Sequence, residues 1–513
     1  MALLNKKTSR DNVRTGTLES QACFRKVRRY PVHPVILLTI CLFLIANLAA
    51  GQELEISVSP SPVGSGARAA GMADAFVAIA DDATAASWNP AGIIQLELPE
   101  MSVVGSYNAV SEEFDVPYHD ETSSSNFVDN YDLNYLSVVY PLPFLILNRN
   151  AVVSLNYQRK YDFSRDFQFR VNRASVDRRG RVSNSLNLRD FRQEGGLSTI
   201  TPAFAMELTQ KLSLGVSVNL WRSSFISENG WKQRYTASGF DLSRFLTSYY
   251  SNTINEEYSD FSGENVVIGA LWKVNNHWSL ALRYDSAFTG KANYRAQYYS
   301  YALTLPSLQM PFPSDPSNYL FVQTPWSTRE KRSIRFPATW AVGTAWRVND
   351  RLTLSFDVTR TDWNDFFVKG SDGVRHSLVD FSNLDNPALR SHFNPTTTAR
   401  LGFEYVFIPK DPEERLDWLW TLRGGVFYDE EPASGRRPGL KSGDNGNGKP
   451  DPFYGVAAGV GLLLKQRVNI DLAYQARFGF DVNRDFYRSP GSSIDFKENV
   501  LQHRVLLSTV IYF

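Results

Sequence analysis

Cysteine is almost missing from this chain. Its 513 residues hold two, Cys23 and Cys41. Both sit in an N-terminal stretch with the marks of a removable leader, so the expected mature protein has no disulfide and no Cys-based metal site. Net charge is missing too: 54 Lys and Arg balance 53 Asp and Glu, leaving +1, and such a balance points to no nucleic acid partner. Long apolar runs are absent beyond the leader and mean hydropathy is negative, which argues against a bundle of membrane-crossing helices. The six histidines are scattered without ligand spacing, and no Ser/His/Asp constellation is visible. No metal, cofactor or catalytic residue is expected, and the chain does not read as an enzyme. A barrel lipase, whose catalytic groups lie far apart in sequence, is the enzymatic alternative. Residues 443–449 fit a Gly-x-x-x-x-Gly-Lys pattern, but Pro450 stands where Ser or Thr is needed and no phosphate-binding helix can start there. The acidic, Gly-rich run 444–448 lacks the alternating oxygen ligands and distal Glu of a calcium loop.

What is present begins with an address. Arg25, Lys26, Arg28 and Arg29 precede an apolar run over 35–46, followed by Asn47-Leu48-Ala49-Ala50-Gly51. A basic start, an apolar stretch of roughly a dozen residues and a small-residue exit describe a secretory signal. Residues 1–51 are therefore expected to be removed, leaving Gln52 first; the segment is longer than a signal needs. The alternative is a single membrane anchor, for which the run is short. Ile40 before Cys41 is too large for a lipoprotein cleavage site.

Beyond residue 100 the chain alternates. Leu212, Leu214, Val216, Val218 and Leu220 interleave with Ser213, Ser217 and Asn219; Trp278, Leu280, Leu282 and Tyr284 with Ser279, Arg283 and Asp285. Leu352 to Val358 and Val468 to Phe478 repeat the pattern, which gives each strand one oily and one wet face. About fourteen such segments begin near Met101, Tyr131, Ala151, Thr199, Leu212, Gly263, His277, Ile334, Arg351, Thr396, Trp418, Phe453, Val468 and Leu501. Short turns at 209–210, 275–276, 348–350 and 465–466 alternate with long polar loops over 164–197, 224–262, 296–332, 364–395, 429–452 and 480–499. That asymmetry, with an even strand count, predicts an all-β, 14-stranded antiparallel transmembrane barrel. A soluble β-sandwich, whose strands also alternate, is the alternative; the leader, the loop asymmetry and the terminal Phe513 together favour the barrel over it. Trp272, Trp278, Trp340, Trp346, Trp418 and Trp420 fall near strand ends, where an interfacial girdle places them.

One stretch breaks the pattern. Residues 65–92 are Ala-rich and close on Trp88-Asn89-Pro90-Ala91-Gly92. Met72, Phe76, Ile79, Ala80 and Ala83 share one face if 72–83 is helical, and Pro90 forces a turn by excluding helical geometry at Asn89. In a polar lumen such a segment supplies a movable stopper and an apolar wall. Met72, Phe76, Ile79 and Trp88 are the candidate ligand-binding residues, with Asn89, Pro90 and Ala91 as the turn. The plainer alternative is that these side chains pack the stopper against the barrel.

Four motifs in order carry a resemblance: Ile79-Ala80-Asp81-Asp82-Ala83 with Trp88-Asn89-Pro90-Ala91-Gly92; Phe336-Pro337-Ala338-Thr339-Trp340 with Thr361-Asp362-Trp363; Leu422-Arg423-Gly424-Gly425-Val426-Phe427-Tyr428-Asp429; and Pro450-Asp451-Pro452-Phe453-Tyr454. Together they resemble the FadL/TodX (OMPP1) family of outer-membrane long-chain fatty acid and hydrocarbon transporters. The resemblance implies a hatch over 52–100 inside a barrel over 101–513, passive uptake of a hydrophobic small molecule across the outer membrane of a Gram-negative bacterium, and sideways exit through the wall. Residues 151–163, the counterpart of the strand whose distortion opens that wall, have no Gly or Pro to mark a bulge. The C-terminal strand ending in Phe513 resembles the signal read by the barrel-assembly machinery. Arg165, Arg170, Arg173, Arg178, Arg179, Arg181, Arg189 and Arg192 point to lipopolysaccharide phosphates or a carboxylate head group, or to a solvated loop. Trp231, Tyr249, Tyr250, Tyr298, Tyr299, Tyr301 and Phe312 are candidates for outer capture. Alternatives are a non-transporting barrel of the same superfamily acting as a secretion-system carrier or assembly protein, and an adhesive barrel.

Overall fold

The computed structural model describes residues 61–62, 64–115, 124–176, 182–242, 246–306, 320–376, 385, 393–409, 417–432, 450–485 and 495–513. The expected leader, the 443–449 run, Arg178, Arg179, Arg181 and Phe312 lie outside the described residues. Strand β1 (Ser61–Pro62) leads into helices α1 (Ala67–Gly71) and α2 (Ala85–Trp88) and a 3-10 turn at Pro90–Gln95. Then follow β2 (Glu100–Asp115), β3 (Ser124–Pro141), β4 (Ala151–Asp162), β5 (Arg165–Val176), β6 (Val182–Glu207), β7 (Leu212–Trp221), β8 (Gly230–Leu242) and β9 (Leu246–Lys273). Next come β10 (Trp278–Asp285), β11 (Phe288–Pro306), β12 (Leu320–Phe336), β13 (Thr339–Arg347), β14 (Leu352–Thr361), β15 (Phe367–Lys369) and β16 (Arg375–His376). The last are β17 (Thr396–Phe407), β18 (Trp418–Glu431), β19 (Asp451–Leu464), β20 (Val468–Asp485) and β21 (Asp495–Tyr512).

Fourteen of these strands close a barrel by antiparallel pairing. Strands β2, β3, β4, β6, β7, β9, β10, β13, β14 and β17 to β21 pair in turn, and β21 returns to β2 from Glu100↔Tyr512 to Asp115↔Lys497. Closure leaves no edge, which is what lipid requires of a sheet. Leu280, Leu282, Val342, Val456, Val460 and Leu472 are exposed on the outside, while Ala281, Ala341 and Ala473 are buried within. The oily face of each alternating strand thus meets hydrocarbon instead of a protein core. Trp272, Trp278, Trp346, Trp418 and Trp420 are exposed around the short-turn end, and Trp340 packs tilted against Tyr284 (ring centroids 4.1 Å apart) at the other. The β19–β20 turn places Lys465 and Gln466 at φ 47° and 56°, the left-handed pair of a tight hairpin turn.

Two expectations are corrected outside the membrane. The segment expected to begin at Ile334 starts in the wall at Thr339, and the long loops at 164–197, 224–262 and 296–332 are largely strand. Strand β5 pairs with the upper part of β6, which continues through β8 and the upper part of β9 to β11 and β12 as one sheet standing on the barrel. No lipid demands an oily outward face there, so the pattern of the wall inverts: Glu194 and Arg295 are exposed on the outside while Trp231, Tyr258 and Tyr294 are buried within, and the oily outward parity that marks the wall disappears.

The wall itself has a seam. Strands β3 and β4 pair only from Tyr135↔Gln158 to Pro141↔Val152. Above that, β1 pairs with β4 at Tyr161 and Asp162. On the other side of β4 the register to β6 slips between Arg159 and Tyr161. Lys160 is thus an extra residue in the strand, a bulge without the Gly or Pro whose absence argued against one.

Candidate functional site

The segment 64–96 fills the barrel interior toward its short-turn end. Helix α1 stops at Gly71 instead of running on, and Ala73, Asp74 and Ala80 take φ of 56°, 61° and 34°. The expected helix over 72–83 is therefore a series of turns. Its backbone groups are satisfied by the barrel: Asp357 accepts from Val77 N–H (2.8 Å), Gln475 donates to the Ala70 carbonyl (2.9 Å), and Ser137 donates to that of Ala83 (2.7 Å). Wall bonds of this kind replace the i→i−4 ladder. Glycines let the two backbones approach. A Cβ on Gly269 would stand 2.0 Å from Asn89 Oδ1, and one on Gly402 would stand 2.3 Å from the Met72 carbonyl oxygen.

Charge fastens the same segment. Arg68 on α1 reaches Glu404 on β17 (2.9 Å) and Asp81 (2.7 Å); Arg423 on β18 reaches Glu404 (2.6 Å) and Asp471 (2.6 Å). Burial works against the Arg68 charge, but Asp81 and Glu404 outweigh it and hold the guanidinium pKa well above its ordinary value. Burial pushes the Asp82 carboxyl up, partly offset by Arg68 and Thr84.

Above the segment lies a cavity of about 420 Å³. Val77, Ser87 and Trp88 form its floor. Tyr161, Phe163, Trp221, Phe288, Phe336 and Trp363 make one wall, with Trp221 and Phe288 stacked at 5.0 Å and Phe288 and Phe336 at 5.2 Å. The other wall is polar. Arg477 pairs with Asp429 (3.0 Å) and Glu431 (2.7 Å), Arg504 with Asp74 (2.7 Å), and Arg165 with Glu112. Between the walls stand Arg283, bound to Asp285 (2.6 Å), and Lys160. Among the described residues the Lys160 amine has neither a hydrogen bond nor an ion pair.

Of the residues singled out in the sequence, Trp88 lines the cavity, its indole donating to the Ser65 carbonyl (2.9 Å) and its own carbonyl accepting from Arg283 (3.3 Å). Met72, Phe76 and Ile79 lie beneath, buried with Ala203, Ala205, Ala281 and Ala341 of the wall. Asn89 caps the 3-10 turn by accepting from Ala91 N–H (3.1 Å) and donates to the Val77 and Ala270 carbonyls, while Pro90 and Ala91 are buried. Arg165 turns into the lumen, away from any outer lipid. Trp231 is buried against Tyr258 (4.3 Å). The aromatic wall escaped the sequence reading, though a signal existed. Trp221 falls on the wet parity of β7, and an aromatic ring on a lumenal face has no lipid to meet.

The comparisons agree with this architecture. The family model for the outer membrane protein transport protein (OMPP1/FadL/TodX) matches residues 48–485. No curated protein matches the sequence. The crystal structure of a Pseudomonas aeruginosa FadL homologue is 15% identical, with a TM-score of 0.52 over 90% of this chain and 100% of that one. The Pseudomonas putida toluene transporter TodX is 13% identical (TM-score 0.46; 91% and 100% covered), and the Ralstonia pickettii toluene transporter TbuX 14% (TM-score 0.44; 88% and 98%). The chain belongs to the FadL/TodX family, the outer-membrane channels of Gram-negative bacteria for hydrophobic compounds.

Proposed function

We propose that this barrel takes up long-chain fatty acids, binding the chain along its aromatic wall and the carboxylate at Lys160. The observation that carries this reading is the bulge. Neighbouring residues of a strand normally point to opposite faces, yet Lys160 and Tyr161 both line the cavity, because the extra residue turns the strand between them. An amine without a partner next to stacked rings suits an amphiphile with one acidic end better than a neutral hydrocarbon. The closed floor favours sideways exit. At the β3–β4 seam there is no β3–β4 ladder to break above Gln158; only the two-residue pairing of β1 with β4 and side-chain bridges close it, Arg159 to Asp132 (3.1 Å) and Asn130 to Asp162. An apolar ligand leaving there enters lipid and avoids the aqueous periplasm.

The test is binding to the purified barrel. Lys160→Gln is expected to weaken oleate binding roughly tenfold, since a hydrogen bond to a charged group contributes about 1.5–3 kcal/mol, while hexadecane binding stays as in the wild type. Equal loss for both ligands, or for neither, contradicts a carboxylate seat at Lys160 and leaves hydrocarbons as the better substrate class.

A further inference from the structure

The sheet standing on the barrel has an unused edge. One side of β5 is laddered to β6 over its whole length, from Arg165↔Gln193 to Val176↔Val182. The other side looks toward β3, whose upper stretch is laddered only to β2, from Leu133 to Ser124. Among the described residues no backbone bond joins β3 to β5. Side chains alone cross the slit: Asn126 accepts from Gln168 N–H (2.9 Å) and Asn130 donates to Ser164 (3.2 Å). An edge of unpaired backbone groups is a template for a further strand.

The chain that arrives at this edge is the protein's own. Strand β1 pairs antiparallel with β4, Ser61 with Asp162 and Pro62 with Tyr161, on the side that β3 leaves free above Gln158. Residues 52–60, which precede β1, lie outside the described residues. From β4 to β5 the register against β6 runs on without a slip: Asp162↔Gly196, then Phe163 N–H to the Gly195 carbonyl (3.0 Å), then Arg165↔Gln193. The β1 register therefore extends along β5. It sets Val58, Ile56 and Leu54 opposite Arg165, Phe167 and Phe169, and Glu55 and Glu53 opposite Gln168 and Arg170. Residues 53–58 read Glu-Leu-Glu-Ile-Ser-Val, the alternation of a strand with one apolar face. Directly opposite residues share a face. The apolar set thus falls on the side where Phe167 and Phe169 are buried against Phe114 (5.6 and 5.9 Å). The two acids fall on the side where Gln168 and Arg170 are exposed. A slip of one residue would turn all of them to the wrong face.

We propose that residues 52–60 add a strand to the free edge of β5, between it and β3, with Leu54, Ile56 and Val58 packed on the Phe114–Phe167–Phe169 cluster. The occupant follows from where the described chain begins and from its register: nine residues extend about 30 Å and cover β5 as far as Val171. The strand displaces the Asn126 bridge and closes the slit above the seam with a backbone ladder. It is separate from the lumenal carboxylate site, and its failure would leave that reading untouched.

Cysteine pairs in the full-length barrel test the register. With Cys23 and Cys41 changed to serine, Glu55→Cys is combined in turn with Gln168→Cys and with Ser164→Cys. The first pair stands directly opposite, within reach of a disulfide, and the second is displaced by roughly 13 Å along the strand. Oxidation is expected to link the first pair at least about tenfold more than the second, counted by mass spectrometry of the digested protein. Hydrogen exchange gives a readout that needs no substitution: in the wild type, residues 53–59 exchange as slowly as β5. Deleting 52–60 then speeds exchange by roughly tenfold or more at Asp166 and Arg170, whose N–H groups share the parity of Gln168 and face the edge. Equal linking of the two pairs, linking of neither, or exchange at Asp166 and Arg170 that the deletion leaves unchanged overturns the proposal.

Discussion

Replacing Glu404 with alanine is expected to unseat the hatch and make the barrel leak. Glu404 is buried between Arg68 of the hatch and Arg423 of the wall, at 2.9 and 2.6 Å. Its removal leaves two guanidiniums without their shared anion in a region closed to water. Breaking a buried pair from one side costs about 3–5 kcal/mol, a large share of the stability that holds so short a segment. Asp81 and Asp82 keep Arg68 partly compensated, so the damage falls mainly on the tie between α1 and the wall. The readouts are the melting temperature of the purified barrel and entry of a hydrophilic dye into liposomes carrying it. Asp350→Ala is the control. It removes an exposed pair with Arg347 (3.4 Å), and such pairs contribute little. If Glu404→Ala leaks no more than Asp350→Ala, the ion network does not hold the hatch.

The second large effect is expected on deleting residues 65–92. The fourteen wall strands close on one another without help from this segment, since β21 pairs directly with β2. The deletion removes the buried cluster built on Met72, Phe76, Ile79 and Trp88, exposing Ala203, Ala205, Ala281 and Ala341 to water inside an otherwise polar lumen. A barrel that still inserts and passes hydrophilic solutes, with more leak than Glu404→Ala, is the expected product. Planar-bilayer conductance measures it. An unfolded chain, or conductance no different from wild type, contradicts a separable hatch.

How much of this was legible in the sequence depends on what each residue faces. Strands in the membrane announce themselves because lipid on one side and lumen on the other enforce period two; Leu280, Leu282 and Val342 show it. Lys465-Gln466 was legible as a turn because the strands around it leave no room for a longer connection. The sheet formed by β5, β8, β11 and β12 was not legible, because neither of its faces meets lipid and its polar residues imitate loop composition. The hatch was legible as an interruption but not as turns. Its helix is ended by partners distant in sequence, Asp357 and Gln475, which no local pattern discloses. The Lys160 bulge needs no glycine, since a slip of one register step against β6 costs an ordinary residue little. The aromatic wall is drawn from β4, β7, β11 and β12 and the turn after β14, so its rings are scattered over two hundred residues before folding gathers them.

The central claim, that a long-chain acid enters through the lumen above a closed hatch, is tested most directly by uptake of radiolabelled oleate into cells. Cells carrying the wild-type barrel, cells carrying Lys160→Gln and cells lacking the protein should rank in that order. Mass spectrometry of the purified wild type should show a retained long-chain carboxylate. Equal uptake in all three, with no apolar molecule retained, would contradict the account.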